Sequence, residues 1–456
     1  MKRRDFFNIG ASAAVGGVMF SAISCQKNDD DSPISGNNPF DLVNGGETQE
    51  RNKIVVISDL HLGADLTFSE CVSHLPRLAE FLTEIRESKT VQELVIAGDM
   101  LDEWYVPSRT DTYDGKTQKE FIQKIATQNK AVIDILNGII KDGKVKVTYT
   151  PGNHDLLVQK ENVELILPGI NQARDDDRLG IGTYNPTSKI AIEHSNRYDF
   201  FCAPDPYSNQ NVADGTILPA GYFFTRIAVN SVTNYPAASE IVPVRDVVLN
   251  SADETQVNTF TYYNIWKSVL KSVIPVKDNY DDKIIVTNID NFKGTYSIND
   301  IIPFNKEDGN IDMNLFSGSC SQAAWEKRLA YNNVPVVTSA NEAIPGALYT
   351  EFLDKMSNVQ YFQNKSSNVR IVVFGHTHLP MLKTFTNTKG EACIYANSGT
   401  WIDKKIKHGE TVDQDVENMD FIVIAPQAAD ASMVKIERFQ YHRGTHVSME
   451  SQSIKL

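Results

Sequence analysis

The sequence predicts an α/β domain whose polar side chains gather at one edge of a sheet. Three observations predict it. Residues 54–149 alternate short apolar runs with stretches of helical period, giving strand, helix, strand, helix, strand, the signature of an α/β architecture. Each run stops at a Ser-Asp, Gly-Asp or Gly-Asn step, which places polar residues at the carboxyl ends of strands, where open α/β sheets bind ligands. Composition is that of a globular chain, with 41% apolar and 22% charged residues.

In order, Ile54–Ile57 reads as a buried strand delivering Ser58-Asp59. Leu75, Leu78, Leu82 and Ile85 follow helical spacing. Glu93–Ala97 is a strand ending in Gly98-Asp99, and Phe121, Ile125, Val132, Leu136 and Ile139 mark a second amphipathic helix. Val145–Tyr149 is a third strand, ending at Pro151-Gly152-Asn153-His154. Lys189–Glu193 precedes His194, and Val369–Phe374 runs into Gly375-His376-Thr377-His378. Leu382–Phe385, Cys393–Ala396, Phe421–Ile424 and Val434–Phe439 are further strands. Between about 206 and 345 the pattern is irregular and carries no catalytic motif, so this segment is read as an insertion or cap within a folded unit of residues 51–456.

The chain has 456 residues, 44 Lys+Arg against 58 Asp+Glu, and a formal net charge of −14. This balance excludes a disordered or fibrous protein and argues against a nucleic-acid partner, which calls for a basic excess. Five cysteines are too few for a disulfide scaffold; Cys71, Cys202, Cys320 and Cys393 are read as buried thiols. Residues 1–24 read as a signal peptide: Lys2, Arg3 and Arg4, then the apolar stretch Ile9–Ile23, then small residues before Cys25. This fits a bacterial lipoprotein lipidated at Cys25, and Arg3-Arg4-Asp5-Phe6-Phe7 resembles a twin-arginine export signal. Residues 25–50, rich in Asn, Asp, Gly and Ser, read as a flexible tether. The expected location is the bacterial cell envelope, lipid-anchored outside the cytoplasmic membrane. Loss of residues 1–24 would leave a net charge of −16, a poor match to an anionic substrate unless bound cations set the local field.

Five motifs fall at strand ends: Asp59-Leu60-His61, Gly98-Asp99-Met100-Leu101-Asp102, Gly152-Asn153-His154-Asp155, His194, and Gly375-His376-Thr377-His378. Singly the first two are weak; together and in sequence they point to metal chemistry. Carboxylate, imidazole and amide oxygen suit Zn, Mn or Fe, and a bridging carboxylate can hold two such ions. Strand alternation predicts that Asp59 and His61 share one side, as do His376 and His378. The neighbouring glycines are read as letting the backbone turn sharply.

These motifs resemble the calcineurin-like metallophosphoesterase family over roughly residues 52–204 and 347–403. The resemblance implies a β-sandwich flanked by helices. It implies two divalent ions, one held by Asp59, His61 and His378, the other by Asn153, His194 and His376, with Asp99 bridging. A hydroxide bridging the ions would attack phosphorus, His154 would be the general acid, and Asp102 would orient it. Asp155 receives no role. The ligands then run from Asp59 to His378, so one catalytic domain spans most of the chain.

Gly98–Trp104, His194–Asp199 and Asn397–Trp401 look like the branch containing UDP-2,3-diacylglucosamine hydrolases, which act on phosphodiester or pyrophosphate bonds. Here Ser195 stands where that branch carries Gly, and the gap from His194 to His376 is far longer. The implied substrate is a phosphorylated small molecule or a lipid-linked one. The alternatives are a phosphomonoesterase (nucleotidase or protein phosphatase) and a surface binding lipoprotein on the same scaffold. Trp104 and Tyr105 are candidate walls of the substrate cleft, and Arg197 is a candidate phosphate contact. His74, His408, His442 and His446 lie away from any motif and are read as packed or surface residues.

Overall fold

The computed structural model describes residues 14–15, 18–19, 38–40, 50–407, 410–413, 419–427, 430–442 and 444–456. Cys25, His408 and most of residues 1–50 lie outside the described residues. Within the segment read as a tether, residues 38–40 are docked on the domain. Phe40 is fully buried, with its ring 5.5 Å from that of Phe81 and its carbonyl accepting from the Ser88 hydroxyl. A lone aromatic in a polar stretch finds a pocket here.

The elements are β1 (Lys53–Ile57), α1 (Leu75–Glu87), β2 (Val91–Ala97), α2 (Gln118–Gln128), α3 (Lys130–Asp142), β3 (Lys146–Thr150), α4 (Lys160–Ile166), β4 (Asn171–Gln172), β5 (Thr183–Tyr184) and β6 (Ile190–Glu193). After them come α5 (Ala220–Thr233), α6 (Glu254–Ser272), α7 (Gln322–Tyr331), α8 (Ala340–Gly346) and α9 (Thr350–Ser357). The chain ends with β7 (Ile371–Phe374), β8 (Met381–Thr386), β9 (Ala392–Asn397), β10 (Met419–Gln427), β11 (Asp430–His442) and β12 (Thr445–Lys455), besides short two- to four-residue strand pairs. One sheet has the order β12-β11-β10-β1-β2-β3-β4, with β1 to β4 parallel. The other has the order β8-β9-β7-β6-β5, with β9, β7 and β6 parallel.

Period-2 alternation explains why the two sheets stack. Ile54, Val56, Val95 and Ala97 of the first sheet share one buried cluster with Ile192, Val373, Ile394 and Ala396 of the second. The intervening Val55, Ile57, Leu94 and Ile96 point the other way and join the apolar faces of α1, α2 and α3. Strands buried on both faces read as continuous apolar runs rather than alternating ones, as these do. The result is an α/β sandwich with helices outside it.

Two details differ from the sequence reading. The second amphipathic helix is two helices, broken at Asn129, whose side-chain amide donates to the Ile125 and Gly63 carbonyls and so ends α2 on the loop after β1. The final strand Thr445–Lys455 carries no strand signal in the sequence, because most of its residues are exposed and its pattern is polar. The 206–345 segment holds four helices, α5 to α8. Its Phe223, Phe224, Tyr262, Trp266 and Trp325 belong to the same buried cluster as α1 and α3. Among the described residues no helix is long and apolar enough to cross a membrane.

Candidate metal centre

The parallel strands β1, β2, β3, β6 and β7 release their chains at the same edge, and within one to three residues each supplies a polar side chain. Asp59, His61, Asp99, Asn153, His194, His376 and His378 are 0–2% exposed there. Extended alternation is not what aligns them. Asp59, His61, Asp99, His376 and His378 all lie in the left-handed region, with φ from 45° to 69°. Such backbone costs on the order of 1 kcal/mol or more per non-Gly residue and clusters at functional sites. It is held here by loop pairing: the Leu60 and His61 amides both donate to the Asp99 carbonyl at 2.9 Å.

The glycines act mainly through the side chain they lack. Only Gly98 among the three motif glycines needs a positive φ, 90°. A Cβ on Gly152 would lie 2.2 Å from Asp99 Oδ1, and one on Gly375 would lie 2.8 Å from Asp59 Oδ2. Ser195 adopts φ 86°, the conformation for which glycine is the natural residue.

Each of two carboxylates has one oxygen fixed and one left over. Asp59 Oδ2 accepts from the His376 amide and the Ser58 hydroxyl, and Asp99 Oδ1 accepts from the His154 amide. Asp59 Oδ1 and Asp99 Oδ2 are buried and accept no well-formed hydrogen bond. Around them lie imidazole nitrogens. Nε2 of His378 is 3.0 Å from Asp59 Oδ1, and Nε2 of His61 is 3.3 Å from that of His378. Nε2 of His194 is 3.1 Å from both Asp99 Oδ2 and Asn153 Oδ1. His61 and His194 use Nδ1 elsewhere, as donors to Asp102 and to the Ala97 carbonyl, which leaves Nε2 for the cluster.

Electrostatics agree with that geometry. Burial raises the carboxyl groups of Asp59 and Asp99, yet the surrounding histidines hold both below the usual carboxylate range. Burial opposes charge on His194, but Asp99 and Asp59 push it up to about 9. The cluster demands positive charge, and a divalent cation supplies it to several oxygens at once. Asp59, His61 and His378 can hold one ion, and Asp59, Asp99 and His194 form an adjoining set. His376 stands with its ring 5.0 Å from that of His194. Its Nε2 is taken by Asp199 at 3.1 Å, and its Nδ1 is buried without a hydrogen bond.

Beside this cluster, His154 Nδ1 donates to Asp102 Oδ1 at 2.9 Å. Burial works against its charge, but Asp102 and Asp99 raise it to about 10. The Trp104 ring lies 5.0 Å from the imidazole at 33°. The Trp104 and Tyr105 amides donate to the same Asp102 oxygen, and both side chains are buried. Asp155 gains a role: it accepts from the Gly152, Met100 and Leu101 amides, tying two motif loops together. Arg197 is not brought to the cluster. It is buried, and Glu193, Asp175, the Thr183 hydroxyl and the Asn332 carbonyl occupy its guanidinium.

The sequence pattern does not single out two polar groups of this site. Asp199 lies within His194–Asp199 with no signal of its own in the sequence. Glu70 sits 3.5 Å from His61 Nδ1 and is pushed by burial to about 7; no motif surrounds it. His74 is a packed residue, its Nδ1 near the Trp401 carbonyl, and His446 pairs with Glu84.

A family model described as calcineurin-like phosphoesterase matches residues 52–380. No curated protein matches the chain.

Proposed function

The chain belongs to the calcineurin-like phosphoesterase family and is a metal-dependent hydrolase of phosphoric esters; from that premise we propose that it cleaves a phosphodiester or pyrophosphate bond outside the cytoplasmic membrane. The observation carrying the chemistry is the pair of unsatisfied oxygens, Asp59 Oδ1 and Asp99 Oδ2, opposed by imidazole nitrogens. We assign Asp59, His61 and His378 to one divalent ion, Asn153, His194 and His376 to another, and Asp99 to both. Held there, two such cations would lower the pKa of a water and neutralise charge on the phosphoryl oxygens.

The side chains around them divide the remaining work. His154 carries the proton for the departing oxygen at Nε2, because Nδ1 is engaged by Asp102. Asp102 holds the ring and stabilises its charged form. Trp104 covers one face of the imidazole and excludes water from it, which strengthens the Asp102 interaction. Preference for a diester or pyrophosphate rests on the likeness of Gly98–Trp104, His194–Asp199 and Asn397–Trp401 to that branch. Export and anchoring through Cys25 rest on the sequence of residues 1–25.

The test is turnover of bis-p-nitrophenyl phosphate against p-nitrophenyl phosphate by Mn²⁺-loaded protein, with elemental analysis of the same sample. Faster diester hydrolysis supports the proposal. Turnover of the monoester alone makes the protein a phosphomonoesterase. Two bound ions with no turnover of a wider ester panel would make it a binding lipoprotein.

A further inference from the structure

The 206–345 segment sends two buried arginines into loops that leave the metal centre. Arg226 of α5 is fully buried. It donates to the carbonyls of Val106 at 3.1 Å, Pro107 at 2.7 Å and Ser108 at 3.3 Å, to the Thr110 carbonyl, and to the Tyr222 hydroxyl. Its partners among the described residues are neutral oxygens. A buried guanidinium is costly unless its donors are met, and here one loop meets most of them. That loop begins two residues after Trp104. Helix α5 also backs the indole: the Tyr222 ring is 6.2 Å away edge-on, and a Cβ on Gly221 would lie 3.2 Å from Trp104 Cζ3.

Arg328 of α7 meets a second loop in the same way, with the Asp205 carboxylate also 4.0 Å away. It donates to the Phe200 carbonyl at 2.6 Å and to the Ala203 and Pro204 carbonyls at 3.1 Å. This loop begins at Asp199, the partner of His376 Nε2.

We infer that the 206–345 segment is a working part of the active site, in which Arg226 positions the acid His154 through Trp104 and Arg328 positions His376 through Asp199. The inference rests on the reading of His154 as acid and His376 as ligand. It assigns the two arginines different tasks. Arg226 governs leaving-group protonation; Arg328 governs retention of one ion. Simple anchoring of the segment would give both the same phenotype.

The experiment compares Arg226→Lys and Arg328→Lys in the full chain. Activity is read with phenyl phosphate esters substituted from p-nitro to p-methoxy, as diesters or monoesters according to the ester the protein accepts. Mn²⁺ binding is read by calorimetry. Arg226→Lys is expected to lose ~10-fold more rate on the methoxy ester than on the nitro ester, since only the poorer leaving group needs the acid, and to bind Mn²⁺ as wild type does. Arg328→Lys is expected to weaken one Mn²⁺ site by ~10-fold with an unchanged leaving-group slope. Equal losses across the series with intact metal binding, or the same phenotype from both variants, overturn the inference. Should either lysine variant fail to fold, Trp104→Phe and Asp199→Asn carry the same two readouts, and wild-type behaviour in them overturns it. His154→Asn separates the failures: without a steeper slope in that variant, the acid assignment itself is wrong.

Discussion

Asp102 lies between His154 and His61, with Oδ1 2.9 Å from Nδ1 of the first and Oδ2 3.0 Å from Nδ1 of the second. One carboxylate therefore touches both the proposed acid and a proposed metal ligand. The Trp104 and Tyr105 amides pin Oδ1, so an asparagine at 102 would turn its amide nitrogen toward His61. That nitrogen donates where the carboxylate accepted, and His61 would shift its proton to Nε2, away from its ligating form. Asp102→Asn is predicted to lower Mn²⁺ affinity ~10-fold or more as well as turnover. Calorimetry showing two wild-type Mn²⁺ sites would refute the double role.

His154→Ala separates acid from ligand. The His154 nitrogens also approach His61 and Asp99 closely enough to hold an ion with them, so geometry alone permits either part. As the acid, His154 can be removed with both ions kept and turnover reduced ~10²–10⁴-fold. Elemental analysis of the purified variant decides: loss of one ion per chain would make His154 a ligand instead.

Gly152 leaves room for Asp99. An alanine Cβ there would stand 2.6 Å from the Asp99 amide as well as against its carboxylate, and neither can retreat without moving the loop between β2 and α2. Gly152→Ala is predicted to destabilise the fold by ~1–3 kcal/mol, the usual range for overpacking, and to lose bound metal. Unchanged thermal stability and metal content would show that the loop yields freely.

The buried polar cluster was legible because each of its members follows an apolar run within a few residues, so the sequence order of motifs maps onto strand ends. The sandwich was legible only through resemblance, since strands buried on both faces show no alternation. Other features depend on partners distant in sequence. Asp199 meets His376 across 177 positions, and Glu70 reaches His61 from a segment without a motif. Arg197 looked available for phosphate because nothing in its neighbourhood announces Asp175 or the Asn332 carbonyl. The break at Asn129 depends on Gly63, a contact that helical periodicity does not report.

A second carboxylate, Asp354 on α9, gives a pH-dependent stability of calculable sign. It is 3% exposed; one oxygen accepts from the Tyr395 hydroxyl and the other has no partner. Burial pushes it from 3.8 up to about 7, with Tyr395 and Lys383 opposing and Glu351 assisting. Between those values the folded chain keeps a proton that the unfolded chain releases. Stability is therefore lost as pH rises from about 4 to about 7 and is level above that. The window corresponds to roughly 4 kcal/mol at 1.36 kcal/mol per unit. Asparagine accepts the same hydroxyl but does not titrate. Asp354→Asn is accordingly predicted to remove this fall, gaining on wild type as pH rises and overtaking it near neutrality. Tyr395 touches Asn397, which donates to the Gly375 carbonyl and the Thr377 hydroxyl, so relief of the buried charge should also steady the His376–His378 loop. Urea unfolding from pH 4.5 to 8 measures the effect, and parallel stability curves for the two proteins would show that Asp354 does not hold its proton in the folded state.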